Sequence, residues 1–233
     1  MIVRFEEDIY NYEKRLEGVL NRVKNSTIVK ENKTKILEFY QECLAQGLSR
    51  ARVIKYLDTL ERTARLLKKP FKRASKNDIA ELIRWVESQN YSEWTKHDYK
   101  VIFKIFYRWL RKTEGYPEEV RWIKTGTKKN NTLPEELLTE EEVKRMTEVA
   151  SNPRDKALIL VLYESGCRIG EILSLKIRNV QFDGYGAQLI VHGKTGMRRV
   201  RIVASAPKLA IWLDNHPLKE NLDAPLWVSN LKN

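Results

Sequence analysis

The stretch Leu162-Tyr-Glu-Ser-Gly-Cys-Arg-Ile-Gly-Glu-Ile-Leu-Ser-Leu-Lys176 decides how the second half of the chain is interpreted. It begins at the end of a segment, residues 157–162, that is apolar on every side, which predicts a core helix covered by neighbours all round. Gly166 predicts the end of that helix, and Arg168 and Glu171 lie where a new helix opens. An arginine is costly to hold near a core, so its presence here indicates a function.

The pair Arg168 and Glu171 has two interpretations. A guanidinium donates two hydrogen bonds from one planar fork to a phosphate and stays charged, and a carboxylate one turn along can buttress it. The alternative is an internal salt bridge between the two side chains that serves the fold alone. The local pattern leaves both open.

Downstream of this stretch the periodicity changes from helical to strand-like. The segments Gln188-Leu-Ile-Val-His-Gly193 and Arg199-Val-Arg-Ile-Val203 flank a short turn, which predicts a β-hairpin, with a possible third strand near residues 180–182. Lys194 lies at the predicted tip. Arg198, Arg199 and Arg201 follow it with no acidic residue among them.

The upstream sequence predicts two domains. Thr139 and Glu142 form a capping box that opens a helix. Before it, a polar segment without periodicity predicts a linker. We therefore predict a helical domain of four or five helices over residues 1–124, a linker over 125–137, and a second domain over 138–233.

The charge of the chain indicates a polyanionic partner. Lys and Arg number 43 against 31 Asp and Glu, a net charge of +12. Residues 51–112 alone hold 16 basic and 7 acidic residues, so the excess is concentrated in the first predicted domain. Nucleic acid is the leading candidate partner.

One predicted helix, residues 92–112, carries basic residues at a spacing of about four. This basic stripe is Lys96, Lys100, Lys104, Arg108 and Arg111. No acid is matched to them at i±4, which favours contact with DNA phosphates over the alternative of a solvated face. The interleaved aromatic residues, Trp94 and Trp109 among them, are assigned to packing.

Several other classes of protein are disfavoured. Cys43 and Cys167 are far apart and lack metal-ligand spacing, and each histidine is isolated, so we expect neither a metal nor a cofactor. No apolar run is long enough to cross a bilayer, and we expect no membrane association and a cytoplasmic location.

Taken together, these features resemble the tyrosine site-specific recombinases, the phage integrase and Xer family. The resemblance covers most of the chain, and its most specific element is the Gly166-Cys-Arg-Ile-Gly-Glu171 box. Leu138-Thr-Glu-Glu-Glu-Val143 and the Gly193-Lys-Thr-Gly196 hairpin support it. It implies a mainly α fold: an N-terminal helical bundle (a core-binding, SAM-like domain) and a partial α+β catalytic domain with a small antiparallel β-sheet.

The resemblance also implies roles for individual residues. Arg168 would contact the scissile phosphate of duplex DNA, Lys194 would be the general acid toward the leaving hydroxyl, and Glu171 would support the arginine. Arg198, Arg199 and the basic stripe would bind DNA. The complete enzyme would form a homo-oligomer on DNA, a tetrameric synapse.

The family also uses a His-x-x-Arg box and a tyrosine nucleophile, and no histidine of this sequence has an arginine three residues on. We therefore expect a truncated recombinase that binds DNA, is inactive alone, and exposes apolar surface where further helices would pack. Two alternatives remain. One is a non-enzymatic DNA-binding regulator that occupies recombination sites, and the other is a helical RNA-binding protein.

Overall fold

The computed structural model describes residues 9–126, 136–193 and 196–228. The chain divides into two compact units, with the division at residues 130–131. Most of the predicted linker, and Lys194 at the hairpin tip, lie outside the described residues.

The first unit is helical throughout its described part. Its helices are α1 (Tyr12–Asn25), α2 (Lys30–Ala45), α3 (Arg50–Leu67), α4 (Lys76–Ser88), α5 (Glu93–Arg111) and the single turn α6 (Glu118–Arg121). Phe39, Phe106 and Tyr107 are buried in one core to which α1 to α6 all contribute. The long apolar faces of α3 and α5 explain this arrangement, because each can be removed from water only by packing against the other helices.

Local sequence signals fix several helix ends. Ser75 and Asp78 form a capping box at the start of α4. Ser92 caps α5 by accepting a hydrogen bond from the backbone N–H of Thr95. Each cap satisfies backbone donors that the first helical turn would otherwise leave without partners.

The second unit combines helices with a small sheet. Its elements are α7 (Glu140–Val149), α8 (Pro153–Ser165), α9 (Ile169–Leu173), β1 (Val180–Asp183), β2 (Gly186–Gly193), β3 (Gly196–Ile202) and α10 (Ala206–Asp214). The strands pair antiparallel in the order β1-β2-β3. The predicted fold class, mainly α with a small antiparallel sheet, is confirmed, and so are the capping box of Thr139 and Glu142 and the third strand.

Alternation along the strands gives the sheet one buried face. Ala187, Leu189 and Val191 of β2 are fully buried, as is Ile202 of β3. Arg198 pairs with Val191 and therefore points to the same face as these apolar residues. This position decides what Arg198 does.

Glu164, near the end of α8, ties that helix to the turn between β3 and α10. Its carboxylate accepts hydrogen bonds from the backbone N–H groups of Val203, Ala204 and Ser205, at 2.7 to 3.0 Å. The Ser205 hydroxyl donates a fourth, at 2.6 Å. The carboxylate thus satisfies backbone donors that precede α10.

The prediction that the 157–162 helix is covered all round is wrong. Within the described residues, only Ala157 and Val161 of α8 are fully buried. Leu160 and Tyr163 line a groove between α7, α8 and α10, and Tyr163 is half exposed. The elements packed on α8 cover one side of it, so an apolar sequence on every side did not give burial on every side.

No helix in the described parts of either unit is long and apolar enough to span a membrane.

Candidate DNA phosphate site

The candidate site begins where α8 ends. Gly166 adopts a left-handed conformation, with φ of 58°, and closes the helix as predicted. The chain then passes through Cys167 to Arg168, the residue before α9. Glu171 lies in the first turn of α9 and turns back toward Arg168.

The Glu171 carboxylate is held by four hydrogen bonds from two arginines. Arg168 donates from its backbone N–H, at 3.1 Å, and from Nη1, at 3.0 Å. Arg198 donates from Nη2 at 2.7 Å and from Nη1 at 3.3 Å. Glu171 is only 5% exposed, so this cluster of Arg168, Glu171 and Arg198 is centred on a buried carboxylate.

The hairpin approaches the same carboxylate closely. A Cβ atom added to Gly193 would lie 2.1 Å from Glu171 Oε1 and 3.0 Å from its Cδ. Only glycine, without a side chain, lets the end of β2 come this near. The arginine box and the end of β2 therefore meet at Glu171, which lies 22 residues before Gly193 in the sequence.

The electrostatics of the cluster favour an ionised carboxylate. The hydrogen bonds from Arg198, followed by those from the backbone and side chain of Arg168, lower the pKa of Glu171 to about 2. With two guanidinium groups and one carboxylate, the cluster carries one net positive charge. This net positive charge can attract an anion.

The structure corrects one part of the sequence argument about Arg168. Its side chain is 69% exposed, so the residue is not held near a core. The internal salt bridge with Glu171 does form, as the alternative interpretation required. The exposed guanidinium of Arg168 also has donors at Nε and Nη2, and within the described residues these donors make no hydrogen bond. Arg168 can therefore form the salt bridge with Glu171 and still donate hydrogen bonds to a ligand.

The basic residues of the hairpin divide into different roles. Arg198 pairs with Glu171, an acid on another element, and also approaches Cys167 Sγ, at 3.5 Å. Arg201 pairs with Asp183 through two hydrogen bonds. Arg199 lies exposed on the opposite face of β3 and has no ion-pair partner among the described residues.

Sequence reasoning missed that Arg198 anchors the site. The signal was present, because residues 198, 200 and 202 alternate on one side of a strand. Placing Val200 and Ile202 on the buried face of β3 places Arg198 on that face as well. What the sequence could not supply was its partner, since Glu171 lies on a different element.

The basic stripe on α5 is also different from the prediction. Acids on other turns and helices serve it: Lys96 pairs with Glu93, Lys100 with Glu87 and Arg111 with Glu119. Lys104 donates to the backbone of Ile123, and both Lys104 and Arg108 lie over the ring of Tyr116. The stripe therefore makes many contacts inside the first unit, and its contact with DNA stays a prediction.

The assignment of the aromatic residues to packing holds for one tryptophan and fails for the other. Trp109 packs against Phe39, with ring centroids 5.0 Å apart. Trp94, in the first turn of α5, is 56% exposed. No group of three or more His, Cys, Asp or Glu side chains suited to a metal occurs among the described residues.

Comparisons with known proteins address this same region. Residues 136–223 match the Phage integrase family. Tyrosine recombinase XerA of Pyrococcus horikoshii is 42% identical over 85 residues, which is 36% of this chain and 28% of XerA. Tyrosine recombinase XerC of Natranaerobius thermophilus is 28% identical over 137 residues, 57% of this chain and 45% of XerC. The matched segments thus span less than half the length of these relatives.

Among solved structures, the XerH site-specific recombinase bound to palindromic difH substrate, in a post-cleavage complex, aligns with 99% of this chain and 76% of its own. The TM-score is 0.60 at 18% identity, which shows a common fold.

The match to the integrase family falls on the unit that contains the Arg168 box and the hairpin. Residues 136–223 are therefore similar to the Phage integrase family, and part of this region is similar to tyrosine recombinase XerA.

Proposed function

We propose that this chain is the part of a tyrosine site-specific recombinase that grips duplex DNA and holds the phosphate at which the complete enzyme cuts and rejoins a strand. The observation that carries this proposal is the Arg168, Glu171 and Arg198 cluster. In this cluster the guanidinium of Arg168 is exposed, and its position is fixed by the buried carboxylate of Glu171, which Arg198 also binds.

Arg168 is proposed to contact the scissile phosphate. Its donors not used by Glu171 can bind two phosphate oxygens in the forked geometry that suits a guanidinium. The same donors would stabilise the additional negative charge that develops on the phosphate during strand transfer. In this proposal Glu171 and Arg198 are positioning residues, because they act through Arg168.

Lys194 is proposed as the general acid toward the leaving hydroxyl, from the family resemblance. The support from the fold is indirect. Gly193, the residue before Lys194 in the sequence, lies against the Glu171 carboxylate. A complete enzyme would use a tyrosine nucleophile to form the covalent phosphotyrosine link.

The proposed substrate is duplex DNA. The net charge of +12 suits a polyanion, and the XerH structures of the same fold are complexes with difH substrate. Arg199, exposed on the hairpin, and the α5 basic stripe are proposed to contribute contacts. Assembly of the complete enzyme as a tetramer on DNA, and a cytoplasmic location, are proposed from the resemblance alone.

A binding experiment tests this function. Fluorescence anisotropy with a labelled duplex of random sequence would measure affinity across a salt series, for the chain, for Arg168→Gln and for the control Arg145→Gln on α7. We expect affinity that falls steeply with salt, and a slope smaller by about 0.9 for Arg168→Gln only. A chain that does not bind duplex DNA would refute the proposal, and equal slopes for all three would refute the role of Arg168.

A further inference from the structure

The strongest concentration of cations without partners in the first unit is not the α5 stripe. It is the segment from Lys68 to Lys76, which joins α3 to α4 and is called the basic loop below. Four of its exposed cationic side chains have no ion-pair or hydrogen-bond partner within the described residues. These four are Lys68, Lys72, Arg73 and Lys76.

The nearby acids already pair with cations other than these four. Asp78 is the first acid after the loop, and it pairs with Lys69 at 2.7 Å while accepting from the backbone and hydroxyl of Ser75. Glu61, on α3, pairs with Arg65. Within the described residues, none of the four cations is in an ion pair, whereas Lys96, Lys100 and Arg111 of the α5 stripe are.

The backbone of the basic loop is held firmly from inside the core. Asn32 on α2 is completely buried, and its side-chain amide donates to the carbonyl of Lys69, at 2.9 Å, and accepts from the N–H of Phe71, at 2.8 Å. The ring of Phe71 is buried against Phe106, and Tyr107 donates to the Phe71 carbonyl. Because the backbone is already ordered, little backbone conformational entropy is lost when the cations bind a ligand.

The chemistry of this surface suits the phosphate backbone of a nucleic acid. The cations lie on one short segment, whose aromatic residue, Phe71, is buried. No base-stacking side chain accompanies them, and lysine acts as a point charge toward phosphate. Such contacts position a protein on DNA without reading its sequence.

We propose that the basic loop is a DNA phosphate-backbone contact of the first unit, and that Asn32 and Phe71 hold it in place for that purpose. This proposal rests on the proposed function, because it names a second part of the same DNA-binding surface.

The test compares two variants of the full chain that lose the same charge. Lys72→Gln with Arg73→Gln neutralises the loop, and Lys14→Gln with Lys30→Gln neutralises two exposed lysines on α1 and α2. Affinity for a random duplex is measured from roughly 50 to 200 mM salt, where each phosphate contact contributes about 0.9 to the slope. We expect the slope to fall by about 1.8 in the loop variant and to stay at the wild-type value in the control. All four side chains are exposed, so both variants should melt at the wild-type temperature.

Two further outcomes separate the proposals. If the wild type binds with a steep slope and the loop variant matches the control, the loop is not a contact while DNA binding stands. If the wild type does not bind at all, the proposed function and this inference fail together. The loss should also be equal on AT-rich and GC-rich duplexes, and a loss confined to one of them would overturn backbone contact in favour of base reading.

Discussion

Gly193→Ala tests the contact on which the candidate site depends. The added Cβ would lie 2.1 Å from Glu171 Oε1 and 3.3 Å from Arg198 Nη1. The carboxylate cannot easily move away, because four hydrogen bonds hold it. We expect the free energy of unfolding of the second unit to fall by about 1–3 kcal/mol, as for other insertions into packed sites. In a unit of this size, each kcal/mol should lower the melting temperature by about 4–8 °C.

The control for this experiment is Gly184→Ala in the turn between β1 and β2, where an added Cβ meets nothing within 4 Å. Differential scanning calorimetry of both variants gives the comparison. Equal melting temperatures for the two would refute the close approach of the hairpin to Glu171. A double-mutant cycle adds a second check: in a Glu171→Ala background, Gly193→Ala should cost no more than the control.

Three further predictions concern buried or doubly held polar groups. Asn32→Ala should lower the free energy of unfolding of the first unit by about 2–4 kcal/mol in urea titrations, because the buried N–H of Phe71 and the partly buried carbonyl of Lys69 lose their partner; a loss below about 1 kcal/mol would contradict its clamping role. Glu164→Ala should cost the second unit about 1–2 kcal/mol through the donors it leaves unpaired, whereas exposed Glu141→Ala should be neutral, and equal losses would count against this account. The pKa of Glu171 is lowered from 4.5 to about 2, so its contribution to stability is complete above pH 4.5 and is lost as the pH falls toward 2. The difference in urea midpoint between wild type and Glu171→Gln should therefore shrink across that range, and a constant difference would show that Glu171 is not held as a carboxylate.

Features encoded within a few residues were predictable from the sequence. Thr139 and Glu142 fix the start of α7 because their bonds close within one helical turn. Gly166 ends α8 because a left-handed residue suits glycine. The hairpin followed from alternation in two adjacent segments, and the Arg168 box from its order of residues.

Features that depend on distant parts of the chain were not predictable. The acids that serve the α5 stripe include Glu87 on α4 and Glu119 on α6, which no i±4 rule relates to the stripe. Arg198 reaches Glu171 across 27 residues. Exposure of Arg168 depends on how far neighbouring elements extend over it, and a one-dimensional pattern does not contain that information.

The most direct test of the central claim is a ¹H–¹⁵N spectrum of the arginine Nε–H groups, recorded while duplex DNA is added to the full chain. The Arg168 signal is assigned by its loss in Arg168→Lys, and Arg154, which is bonded to Asp155 and to the Val228 carbonyl, serves as the internal reference. The account predicts that the Arg168 signal shifts on binding while that of Arg154 stays in place. DNA binding that shifts other arginine signals and leaves Arg168 unchanged would contradict it.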